Sequence, residues 1–135
     1  MKKILVVDDQ PNIRRMILLA LRDHFALEEA GDADVAYVQL LAARPDALVL
    51  DVRMPGSMNG FQLCQRIKGD PELAGIHVVL VTACGQVSDQ ELGRELGADA
   101  YFIKPFSPLA LARHLTNVLL PAASQAVTGH MEIQS

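Results

Sequence analysis

Four short apolar runs in this chain each end in residues that could do chemistry. Ile4-Leu5-Val6-Val7 leads into Asp8-Asp9, and Ala47-Leu48-Val49-Leu50 into Asp51. Val78-Val79-Leu80-Val81 leads into Thr82, and Tyr101-Phe102-Ile103 into Lys104-Pro105. Three carboxylates gathered in one pocket repel one another, so without a cation at least one should hold its proton. A hard divalent ion removes that conflict. Mg²⁺ prefers oxygen ligands, keeps several waters and takes one or two carboxylates plus phosphate oxygens. Lys104 supplies a second positive charge, for Asp51 or for a phosphoryl group carried on it, and Thr82 supplies a hydroxyl donor. A carboxylate nucleophile with these neighbours suits phosphoryl transfer, where catalysis is mostly positioning and charge neutralisation.

Such a site forms only where one rim collects all four run ends. Runs that are apolar at every position have both faces buried, as in a parallel sheet covered by helices on each side. A fifth run, Ala26-Leu27, passes at once into Glu28-Glu29 and fits a sheet edge. Helical spacing fills the gaps: Ile13, Met16, Ile17 and Ala20 in the first helix, and Leu111, Ala112, Leu115, Val118 and Leu119 in the last. Ser107-Pro108 is a start signal for that last helix. Ser88 with Glu91 matches a capping box for the fourth, which Gly93 weakens by about 1 kcal/mol relative to Ala. Five βα units predict a doubly wound α/β fold, in which ligands bind beyond the carboxyl ends of the strands where strand order reverses. The pattern stops at Pro121, so residues 1–120 are expected to form one domain and 121–135 a flexible tail or linker.

Composition limits the alternatives. The 135 residues are 50% hydrophobic and 21% charged with a formal net charge of −4, an ordinary globular balance for one domain. No cluster of Lys and Arg suits a phosphate backbone, so direct nucleic-acid binding is not expected. No apolar stretch approaches the roughly 20 residues that span a bilayer, and Met1-Lys2-Lys3 precedes too short a run for a secretory signal. A cytoplasmic location without membrane insertion is expected. Cys64 and Cys84 lack CxxC spacing and read as reduced thiols. His24, His77, His114 and His130 show no metal-ligand spacing. Neither GxxxxGK[ST] nor GxGxxG follows a strand, which disfavours a nucleotide-binding protein. Asp51-Val52-Arg53 also lacks the second carboxylate of a haloacid-dehalogenase-type phosphatase. Taken singly, each key residue has a plainer reading: a helix N-terminus for Asp8-Asp9, a solvated turn for Asp51, a strand-end hydroxyl for Thr82, a surface cation for Lys104. Their joint placement carries the case.

Together, Asp8-Asp9, Asp51-Val52-Arg53-Met54-Pro55 with Gly60, Val81-Thr82-Ala83 and Gly97-Ala98-Asp99-Ala100-Tyr101-Phe102-Ile103-Lys104-Pro105-Phe106 resemble the receiver domain of two-component response regulators. That family includes the single-domain chemotaxis regulators, and the resemblance covers about residues 3 to 120. It implies a flavodoxin-like (βα)5 fold, with a five-stranded parallel sheet in the order 2-1-3-4-5. It also implies that Asp51 accepts a phosphoryl group from a sensor histidine kinase or a histidine phosphotransfer protein. Asp9, Asp51 and the Arg53 backbone carbonyl would ligate Mg²⁺, with Asp8 acting mainly through a coordinated water. Thr82, Ala83 and Lys104 would contact the phosphoryl oxygens, and the Lys104-Pro105 bond would be cis.

By the same resemblance Thr82 and Tyr101 form a switch pair, although a strand tyrosine also has a plain packing role. The switch would alter the surface of the fourth helix, fifth strand and fifth helix, recognised by a downstream protein or by a second copy on phosphorylation. The chain would then be a phosphoacceptor rather than an enzyme that turns over substrate. It would be either a stand-alone switch or the receiver part of a longer regulator; a module that kept the fold and lost the switch is the remaining alternative. Two features depart from the commonest pattern. The loop Pro55-Gly56-Ser57-Met58-Asn59-Gly60 is one residue longer, and Arg53 and Cys84 occupy positions that tune phosphoryl lifetime in the family.

Overall fold

The computed structural model describes residues 1–83, 87–120 and the backbone of 132–134. Strands and helices alternate: β1 (Lys3–Val7), α1 (Pro11–Leu21), β2 (Ala26–Ala30), α2 (Ala33–Ala42), β3 (Ala47–Asp51) and α3 (Gly60–Gly69). They continue as β4 (His77–Thr82), α4 (Val87–Glu95), β5 (Ala100–Ile103), α5 (Pro108–Leu119) and β6 (Glu132–Gln134). The sheet is parallel in the order β2-β1-β3-β4-β5-β6.

The expected order 2-1-3-4-5 is therefore present, with one strand more than the five-stranded sheet read from sequence. Within the segment expected to be a tail, β6 pairs with β5, placing Ile133 opposite Tyr101. Glu132-Ile133-Gln134 holds a single apolar residue, too short a pattern for a period-2 reading.

Strand alternation divides the core between the two faces. Leu5, Leu48, Leu50, Val78, Leu80 and Tyr101 pack on one face with Ala36, Leu40, Leu63 and Ile67 from α2 and α3. Ile4, Val6, Val49, Val79 and Phe102 pack on the other with Ile17, Leu21, Leu111 and Leu115 from α1 and α5. β2 keeps Leu27 and Glu28 half-buried and Glu29 exposed, as an edge strand should. In the helical patterns, Ile17, Leu111 and Leu115 reach the core, while Met16 and Val118 remain exposed.

Local signals place most helix starts. The Ser107 hydroxyl accepts a hydrogen bond from the Ala110 amide and caps α5. Asn59 and Gln62 form a reciprocal capping box at α3. The box expected at Ser88 is not formed as predicted, because α4 already begins at Val87 and includes Ser88 in its first turn. Gly93 has a packing reason for its cost in helix propensity: a Cβ there would stand 3.1 Å from Leu80 Cδ1 and 3.2 Å from Tyr101 Cδ2. The absent side chain lets α4 close on the sheet. Cys64 is buried, and burial pushes its thiol up to about 11, so it stays protonated and inert.

Candidate functional site

Strand register delivers the chemistry to one rim. Val7 lies opposite Leu50, Asp51 opposite Val81, and Thr82 opposite Ile103, so all four strand ends stop at one level. Consecutive strands leave β1 to opposite sides, β2 one way and β3 the other, which opens the crevice expected at a strand-order reversal. Asp8, Asp9 and Asp51 each bring a carboxylate oxygen to within 4.8 Å of the others. Asp8 and Asp51 are buried, 1% and 5% exposed, whereas Asp9 faces solvent. Lys104 reaches between the buried pair, with Nζ 3.3 Å from Asp8 Oδ2 and 3.4 Å from Asp51 Oδ2.

Backbone donors hold both buried carboxylates. The Gln10 amide donates to Asp8 Oδ1 at 2.9 Å, and the Arg53 amide to Asp51 Oδ1 at 3.2 Å. The Arg14 guanidinium fixes the Asp8 carbonyl at 2.6 Å and also pairs with Glu29. Past Asp51 the chain turns sharply: the Val52 amide donates to the Val81 carbonyl and the Gly60 amide to the Val52 carbonyl. Gly60 is required by space, since a Cβ there would meet the Asp51 carbonyl oxygen and stand 2.6 Å from Val52 Cα. Within this loop Ser57 donates to the Asp34 carboxylate of α2.

Thr82 is fully buried and Ala83 exposed at the end of β4. The Lys104 amide donates to the Thr82 carbonyl at 2.6 Å, and the Lys104-Pro105 bond is cis as expected. Tyr101 is fully buried, its ring against Gly93 of α4. The Arg53 side chain pairs with Asp89 of α4 at 3.3 Å. Cys84 lies outside the described residues. Sequence reasoning missed Asp89, Arg14 and the steric role of Gly60, since none carries a spacing signal along the chain.

Burial and the neighbouring Asp8 charge raise the Asp51 carboxyl to about 6, against partial opposition from Lys104 and the Arg53 amide. An acid this reluctant to ionise, beside two further carboxylates and one ammonium, lacks positive charge. The donor set is all oxygen and partly open through Asp9, so it fits a hard divalent cation.

A family model for the response regulator receiver domain matches residues 4–116. The chain belongs to this family. Receiver relatives include the phosphate regulon transcriptional regulatory protein PhoB of Escherichia coli, 37% identical over 98% of this chain and 58% of that protein. The transcriptional regulatory protein ResD of Bacillus subtilis is 38% identical over 91% of this chain and 50% of that one. The chain thus spans about half the length of these curated relatives. Among solved structures, the Vibrio cholerae chemotaxis protein CheY4 superposes with a TM-score of 0.81 at 31% identity, covering 88% of this chain and 99% of that one. Among the described residues of this receiver domain, no helix is long and apolar enough to cross a membrane.

Proposed function

We propose that Asp51 is the phosphoacceptor and that this receiver domain works as a phosphorylation-dependent switch. The observation that carries the reading is the buried Asp51 carboxylate, with Asp8 and Asp9 beside it and the Lys104 ammonium 3.4 Å away. An Asp51 oxygen attacks the phosphorus of a phosphohistidine on a sensor kinase or phosphotransfer protein. The P–N bond breaks, and the imidazole leaves with its electron pair. Asp9, Asp51 and the Arg53 carbonyl would hold Mg²⁺, with Asp8 acting through a coordinated water; the ion supplies charge neutralisation for the phosphoryl oxygens. Thr82, the Ala83 amide and Lys104 donate to those oxygens.

The same groups support slow self-dephosphorylation, so the chain is a switch rather than a turnover enzyme. Thr82 and Tyr101 relay the change to the surface of α4, β5 and α5, where a protein target or a second copy docks. Residues 1–120 form the receiver, acting in the cytoplasm, and residues 121–135 serve as a tail or linker that meets the sheet edge through β6. A second reading, a receiver that controls an output domain beyond this chain, is favoured by the half-length match to PhoB and ResD. Nucleic-acid contact would then belong to that output domain.

The test is Mg²⁺ with beryllofluoride, or a small-molecule phosphodonor, added to wild type and to Asp51→Asn. Wild type should respond only with Mg²⁺ present and Asp51→Asn not at all. A wild type without a Mg²⁺-dependent response sinks the reading.

A further inference from the structure

Arg53 is bonded at both ends. Its amide holds Asp51 Oδ1 at 3.2 Å, while its guanidinium holds Asp89 Oδ2 at 3.3 Å in the first turn of α4. The Asp89 side chain is only 16% exposed, and its charge suits a helix N-terminus, so Asp89 stays with α4. The Arg53 side chain is 65% exposed and on a long stem, so it is the partner free to leave.

We propose that Asp89 is a positioning residue, pairing with Arg53 to couple the occupancy of Asp51 to α4, along a route separate from Thr82 and Tyr101. The proposal rests on the phosphoacceptor reading of Asp51. An anionic group on Asp51 competes with Asp89 for the guanidinium, because a phosphoryl group carries more negative charge than one carboxylate and the exposed ion pair is weak. Addition at Asp51 therefore weakens the tie between Arg53 and α4. Linkage makes the effect reciprocal: loss of the Asp89 partner must favour the anion at Asp51.

The experiment measures calorimetric affinity for beryllofluoride with Mg²⁺ in wild type, Asp89→Asn, Asp89→Glu, Arg53→Ala and Arg53→Ala/Asp89→Asn. Asp89→Asn should bind about two- to five-fold more tightly, as expected for an exposed pair, and the gain should shrink at high salt. Asp89→Glu, which keeps the pair, should match wild type. In the Arg53→Ala background the Asp89 substitution should have no effect. A gain that persists there marks a general field of the Asp89 charge and overturns the coupling, as does an unchanged or weakened Asp89→Asn. Failure of wild type itself to bind would defeat the phosphoacceptor reading instead.

Discussion

Lys104 Nζ stands 3.4 Å from Asp51 Oδ2 although 53 residues separate them, and it holds Asp8 Oδ2 at a nearly equal distance. One ammonium thus serves two buried carboxylates. Burial and the Asp8 charge outweigh that single ammonium, so Asp51 remains reluctant to ionise.

Removing either neighbour should move Asp51 in opposite directions. Lys104→Met takes away a cation that favours the carboxylate, so the Asp51 pKa should rise above about 6. Asp8→Asn removes a repelling charge, so the pKa should fall. Carboxyl carbon chemical shifts followed against pH, without divalent ions, read both changes.

Stability should follow the same group. Asp51 titrates near 6 in the folded chain against 3.8 for its ordinary value. Between those values the folded state holds more protons than the unfolded one, so stability should fall as pH rises through this window. Asp51→Asn abolishes that slope and should be more stable than wild type at pH 7 by roughly 1–3 kcal/mol in chelator. Added Mg²⁺ should stabilise wild type and leave Asp51→Asn nearly unchanged. Urea unfolding from pH 4 to pH 7 checks each statement.

Gly60→Ala should damage the site from outside it. The new methyl has no room against the Asp51 carbonyl and Val52 Cα, both backbone, so the β3–α3 turn must move. Overpacking of this kind costs about 1–3 kcal/mol in urea unfolding. The displaced Asp51 should also bind beryllofluoride more weakly than in wild type. A stability loss with unchanged affinity would show that the turn yields without moving the carboxylate.

The sequence by itself determined the layered fold and which strand ends share one rim. Short runs apolar at every position, alternating with helical patterns, fit strands buried on both faces, and the polar residue ending each then emerges at the sheet rim. Asp8, Asp51, Thr82 and Lys104 end such runs and therefore share that rim. Tertiary structure alone decided which groups touch. The Arg53–Asp89 pair spans 36 residues and the hold of Lys104 on Asp8 spans 96, so no local period encodes either. The need for glycine at positions 60 and 93 came from the close approach of α3 and α4 to the sheet, which depends on packing rather than on neighbours in the chain. The sixth strand was invisible for the same reason: β6 forms because the β5 edge offers unpaired backbone groups, not because Glu132-Ile133-Gln134 favours a strand.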